Sequence, residues 1–166
     1  MTEGKAAGRT ASVRLREDGS SFLGDGDPTL PAGEITYVKS SGKLWYGFTT
    51  FLGIAVAADP SNPIPRGKYD LEIPDEVHPL GGPYESISVY AKSWFRIGHS
   101  GDRYLHTGTH SAGCATVMDV AKWTDIYLYL IRRRKGDGMS VGTLNVFDNE
   151  VQRFANYFIP FNPFRR

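Results

Sequence analysis

A single stretch of this chain carries apolar residues at helical spacing, and it comes late. Val120, Trp123, Ile126, Tyr127, Leu130 and Ile131 fall three and four apart, on one face of a helix. Asp119 stands ahead of them as a capping residue. Arg132, Arg133, Arg134 and Lys135 close the stretch, where cations suit the helix dipole, and Gly136 and Gly138 stop it. The run predicts a helix from Asp119 to about Arg133.

Before it the chain is cut into short β-prone pieces. Val13 and Leu15 alternate with arginines, and residues 34–39, 43–50 and 67–73 alternate again. Residues 85–90, 93–97, 103–105 and 141–147 are also strand candidates. Residues 52–57 (LGIAVA) suit either a strand buried on both faces or a short helix. The three prolines of residues 59–65 exclude regular structure there, and residues 24–33 and 74–83 read as loop. Many strands before one late helix argue against a doubly wound parallel sheet. The fold class expected is mostly β, a β-rich α+β domain with one principal helix. Residues 1–10 read as a loose tail, residues 11–166 as a single domain, and the aromatic tail from Phe154 to Phe164 as a surface wrap.

Net charge limits the partners. The formal charge is +1, so no basic field favours nucleic acid. No run of about 18 apolar residues is present, so no membrane span is expected, and the first twenty residues lack the apolar segment of a secretory signal. One cysteine excludes an intramolecular disulfide, and neither C-x-x-C nor H-E-x-x-H spacing occurs. No metal and no other cofactor is expected.

That cysteine carries the functional question. Cys114 lies in S-A-G-C-A-T, residues 111–116, among small residues. A lone cysteine is ordinarily a small buried hydrophobe. Small neighbours, however, let a substrate approach the backbone and let N–H groups converge on an oxyanion. A thiol nucleophile also needs a base. All four histidines, His78, His99, His106 and His110, precede Cys114, which excludes papain-like enzymes, whose histidine follows the cysteine. His106 ends a short strand and opens a turn. His99 opens another turn and is the rival base. His110 either reaches the sulfur or lines its pocket. If Cys114 lies close to the helix start, the dipole would favour thiolate and lower the thiol pKa.

These residues resemble the L,D-transpeptidase catalytic domain. S-A-G-C at Ser111 to Cys114 is similar to the family's S/T-H-G-C signature. The form with alanine resembles the branch that includes peptidoglycan-targeting effectors of type VI secretion. L-H-T-G at Leu105 to Gly108 matches the histidine and glycine that precede the signature, and P-I-P-R-G-K-Y at Pro63 to Tyr69 resembles an upstream family segment. K-L-W-Y-G, Lys43 to Gly47, is in the style of the family's early hairpins. The resemblance spans residues 34 to 147. Ala112 replaces the signature's histidine, and Thr116 stands where the family carries arginine or asparagine. The interval from His106 to Cys114 is shorter than the family's.

The resemblance implies a β-sandwich and acyl transfer through a thioester on peptidoglycan stem peptides. Cys114 is then the nucleophile, with His106 or His99 as base. Ser111, Ser100 or Thr107 would orient the imidazole. The oxyanion donors are Gly113 and Cys114. His110, Thr116, Tyr46 and Trp94 would contact substrate, with Tyr37 and Trp45 as further pocket walls. The place of action implied is the periplasm or cell wall. An effector would reach it through a dedicated secretion system and have an immunity protein as a partner. Two other readings stay open: a purely hydrolytic cysteine amidase or peptidase, and a non-catalytic β-rich module with an inert thiol.

Overall fold

The computed structural model of the protein describes residues 26–47 and 52–158, with side chains to residue 155. The strands are β1 (Gly33–Val38), β2 (Lys43–Tyr46), β3 (Ile54–Ala57), β4 (Gly67–Glu72), β5 (Phe95–Arg96), β6 (Tyr104–Thr107), β7 (Ala115–Val117) and β8 (Ser140–Phe147). Helix α1 spans Val120–Ile131 and α2 spans Glu150–Phe158, with a 3₁₀ segment at Pro79–Tyr84. The strands join in the order β4-β8-β1-β2-β3-β7-β6-β5. The two outer strands then meet: Leu71 bridges Ile97, and the Gly98 N–H donates to the Asp70 carbonyl at 2.7 Å. The sheet therefore curls until its edges touch at Leu71 and Ile97.

The architecture is mostly β with one principal helix after the cysteine, as the order of patterns predicts. Asp119 caps α1, accepting from the Lys122 N–H, and all six residues of the expected stripe are buried. Each fully buried side chain of that stripe contributes on the order of 2 kcal/mol relative to exposure. Arg133 and Arg134 donate to the Tyr129 and Ile131 carbonyls, satisfying acceptors that the last helical turn leaves open. Strand β8 is flanked on both sides, parallel to β1 and antiparallel to β4, and six of its eight residues are buried.

Four local readings change. Within residues 52–57, Ile54–Ala57 form a strand, but only Val56 in it is buried, so its two faces are not both covered. Residues 85–90 form turns rather than a strand. The Ser88 hydroxyl bonds Thr124 of α1 and Tyr90 stacks on Tyr127, so contacts to the helix override β propensity. Residues 115–117, to which the sequence pattern assigns no element, are strand β7. Helix α2, Glu150–Phe158, includes the start of the segment read as a surface tail from Phe154, and Asn149 accepts from the Gln152 N–H at the helix start. The expected strand at residues 11–16, residues 1–10, the end of the 43–50 strand and the tail beyond residue 158 lie outside the described residues.

Candidate active site

Strands β6 and β7 run parallel, with Leu105 opposite Ala115, His106 opposite Thr116 and Thr107 opposite Val117. Strand alternation sends Leu105, Ala115 and Val117 into the core, where each is fully buried. Tyr104 and His106 take the opposite face of β6. Cys114, one residue ahead of β7, and Thr116 take the same face of β7. The register thus sets His106 and Cys114 diagonally across two adjacent strands. Both line one cavity of about 260 Å³, with Leu80, Tyr84, Trp94 and the turn from Thr107 to His110. The Tyr84 hydroxyl bonds Thr109 Oγ1 at 2.9 Å and ties the 3₁₀ segment to that turn.

The imidazole of His106 is fixed on both edges. Nδ1–H donates to the Thr107 carbonyl at 2.8 Å, and Nε2 lies 3.1 Å from Thr116 Oγ1. A carbonyl can only accept, so Nδ1 carries the proton and Nε2 is the basic nitrogen. Thr116 Oγ1 also lies 3.1 Å from the His110 carbonyl, so its single proton can serve either Nε2 or that carbonyl, one at a time. Burial holds the His106 pKa below its ordinary value, against the Thr107 hydrogen bond, which raises it.

The sulfur of Cys114 rests on backbone. It accepts from the Tyr104 N–H at 3.4 Å, and a long contact of 3.9 Å runs to the Asp102 carbonyl. Burial pushes the thiol pKa up, outweighing the Tyr104 N–H and the Arg103 charge, which lower it. The expected lowering of that pKa is therefore corrected. Its supposed cause is absent as well, because strand β7 and a turn separate Cys114 from α1, and a helix dipole acts only near its first turn. A raised thiol and a depressed imidazole favour the neutral pair over the ion pair.

The loop that carries the sulfur is pinned by Arg103. Its Nη1 donates to the carbonyls of Gly113 at 2.8 Å and Asn62 at 3.0 Å, and Nη2 donates to Asn62 Oδ1 at 2.8 Å. Gly113 has φ +103°, and a Cβ there would stand 2.5 Å from Asn62 Nδ2, so only glycine fits. Ser111 Oγ donates to the Cys114 carbonyl at 2.7 Å. Ser111 therefore shapes the loop, while the group that orients the imidazole is the Thr107 carbonyl.

The other expected site residues are distributed differently. His99 is removed from the sulfur by its bonds: Nδ1 lies 2.8 Å from Glu72 Oε2, and Nε2 lies 3.0 Å from Asp70 Oδ2. With both ring nitrogens on carboxylates, it does not serve as the rival base. Tyr46 packs on Tyr129, centroids 5.3 Å apart, and not on the cavity. Trp45 lies under the Arg153 guanidinium, and Tyr37 is core. Thr116 is fully buried and holds His106, so it does not reach a substrate directly. Trp94 and His110 do line the cavity, Trp94 largely buried and His110 exposed.

Asp70, His99 and Asp137 bring donor atoms within 4.8 Å of one another, as do Asp75, Glu76 and His78. Lys135 and Arg96 already pair with acids of these clusters. Sequence reasoning missed three contributors to the site. Arg103 and Asn62 act through contacts that no local pattern reveals. His78 was one of four histidines, and only its stacking on Trp94, centroids 4.2 Å apart, sets it beside the cavity.

No family model matches the sequence, and no curated protein matches it. Solved structures resemble portions of it, among them two L,D-transpeptidases. One is L,D-transpeptidase 1 of Mycobacterium tuberculosis, 18% identical with a TM-score of 0.45, over 70% of this chain and 59% of that one. The other is an L,D-transpeptidase from Mycobacterium tuberculosis H37Rv, 16% identical with a TM-score of 0.44, over 71% of this chain and 58% of that one. The chain spans less than three fifths of the length of each.

Proposed function

We propose that the protein is a cysteine acyltransferase that acts on peptidoglycan stem peptides through a thioester at Cys114. The observation that carries this reading is the placement of Cys114 and His106 on one face of β6 and β7, lining one cavity, with Nδ1 of the imidazole committed to Thr107. Cys114 Sγ attacks the carbonyl between the third stem residue and its terminal D-alanine. The Thr116 hydroxyl turns its proton to the His110 carbonyl, and the freed His106 Nε2 takes the thiol proton and passes it to the leaving amine. The sulfur first turns from the Tyr104 N–H toward the imidazole. A trans peptide points its N–H opposite its carbonyl. With the Gly113 carbonyl held by Arg103, the Cys114 N–H points away from that cation and is the donor for the oxyanion. The thioester then passes to an amine, giving a crosslink or an exchanged D-amino acid, or to water, giving a trimmed stem.

The S-A-G-C form of the motif supports an effector that works in the periplasm or cell wall of a target cell, with an immunity protein and a secretion component as partners. Directing the protein to the periplasm of a Gram-negative host should then be toxic, whereas cytoplasmic expression should not.

The deciding assay incubates wild type and Cys114→Ala with muropeptides and reads products by mass. Crosslinked dimers or exchanged D-amino acids mean transfer, and loss of D-alanine alone means carboxypeptidase action. Both require the sulfur. Cleavage elsewhere in the stem, or an alanine variant as active as wild type, would overturn the reading.

A further inference from the structure

Trp94 lies between two imidazoles. Its indole stacks on His106, with centroids 4.1 Å apart and planes 18° from parallel, and on His78, 4.2 Å away and 6° from parallel. Two rings so close to one centroid have no room side by side, so they occupy opposite faces of the indole. The indole is itself anchored, its Nε1–H donating to the Ala91 carbonyl at 2.9 Å. Tyr104 stands edge-on to both His78 and Trp94, and the Arg96 guanidinium lies over the Tyr104 ring.

We propose that Trp94, backed by His78, is a positioning residue for His106, holding the imidazole plane toward Cys114 and favouring its cationic form during proton transfer. This deepens the acyl-transfer reading and rests on it. Thr107 and Thr116 fix the edges of the ring, and Trp94 supplies its face. An indole face attracts a cation, and more strongly where water is excluded. The burial of His106 disfavours that cation, so the indole offsets part of the cost.

His78 can back the stack only while neutral, because a second cation across the indole would repel the first. Among the described residues its Nε2 is buried with no hydrogen-bond partner, and burial pushes its pKa down to about 4. The groups that face it are Asp75, Glu76, Arg96, Tyr104 and His106. Those around His106 are Cys114, Tyr104 and, across the indole, His78. An imidazole kept neutral at physiological pH, stacked on the far face of the indole, supports the ring without opposing its charge.

The test is a histidine-labelled NMR titration of the full chain, paired with the pH dependence of Cys114 alkylation by iodoacetamide. Trp94→Leu should lower the His106 pKa by about half a unit, the shift a cation–π contact supports. Alkylation at pH 7 should slow about threefold by the same contact. Trp94→Phe should restore both. His78→Phe should titrate like wild type, and His78→Ala should move His106 in the direction of Trp94→Leu. If Trp94→Leu does not fold, the pair His78→Ala and His78→Phe decides, because both keep the indole. A His106 pKa unchanged in His78→Ala, or equal losses in the phenylalanine and aliphatic variants, would overturn the proposal. Failure of the acyl-transfer reading shows separately, as a wild type inert on muropeptides while the His106 pKa still responds to Trp94.

Discussion

Arg103 Nη1 donates to the Gly113 carbonyl at 2.8 Å, and so holds the peptide whose N–H belongs to Cys114. The same guanidinium grips Asn62 twice. One cation therefore ties the proline-rich segment before β4 to the loop before β7. It also lies close enough to Cys114 to favour thiolate.

Arg103→Ala should slow Cys114 alkylation and muropeptide turnover by about 10–100-fold, the scale of hydrogen bonds from a charged donor. The apparent thiol pKa should rise, because a cation that lowers it is lost. Arg103→Lys keeps the charge but not the fork, so it should restore the pKa without restoring turnover. An alanine variant with wild-type turnover would remove Arg103 from the site.

Some of this architecture was legible in the sequence because it is local. The α1 stripe repeats every three to four residues, and Asp119 sits where a cap belongs, so helix and cap could both be read. The alternation of Tyr104, Leu105 and His106 likewise marks β6. Strand β7 was hidden because three residues after a glycine and a cysteine give too little alternation to see. Residues 85–90 misled because Ser88 and Tyr90 answer to α1, more than thirty residues later. Cys114 and His106 were found through motif and chain order. The fate of His99 depends on Asp70 and Glu72, 29 and 27 residues upstream, brought to it where the sheet edges meet. No sequence window contains that closure.

From a fully buried position Thr116 Oγ1 lies 3.1 Å from both the imidazole Nε2 and the His110 carbonyl, and its proton serves one of them at a time. Thr116→Val keeps the shape and removes the hydroxyl. Alkylation of Cys114 at pH 7 should slow about 2–10-fold, the range of a lost neutral hydrogen bond. Thr116→Ser should keep the wild-type rate. If valine and serine behave alike, Thr116 is only packing.

The His99 cluster predicts a pH-dependent stability. Its hydrogen bonds to Glu72 and Asp70 raise the His99 pKa despite burial, and Lys135 foremost, with His99, lowers that of Asp70. Asp137, Lys135 and Arg96 complete the charged neighbours. A histidine whose folded pKa is raised adds stability below its unfolded pKa near 6.5, lost as pH rises through the folded value. An aspartate with a depressed pKa adds stability above its unfolded value near 3.8, lost as pH falls through the folded one. The cluster is thus strongest between these limits. The wild-type Tm should fall by about 2–4 °C from pH 6 to pH 8, for roughly 1 kcal/mol of partly exposed pairing. His99→Gln should flatten that fall and leave Cys114 alkylation unchanged. A steep fall that survives in His99→Gln would assign it to other groups.

Two glycines separate the stability of the sheet from the shape of the site. Gly142 on β8 faces Gly33 on β1, where an added Cβ would lie 2.2 Å from the Gly33 carbonyl oxygen. Gly81 lies in the 3₁₀ segment, where a Cβ would lie 2.1 Å from the Ala91 carbonyl oxygen. Both contacts are with backbone, which cannot swing aside. Gly142→Ala must push β1 and β8 away from each other, costing about 1–3 kcal/mol and about 3–10 °C in Tm. Cys114 and His106 lie on other strands, so alkylation measured well below the melt should stay near wild type. Gly81→Ala instead pushes the segment that carries Leu80 and Tyr84 away from the chain that anchors Trp94. It should lower turnover by about tenfold, as misplaced positioning groups do, with a smaller change in Tm than Gly142→Ala. Turnover and thermal melts of the two variants, measured side by side, check the ranking. Reversed effects would mean that the 3₁₀ segment supports the fold and not the cavity.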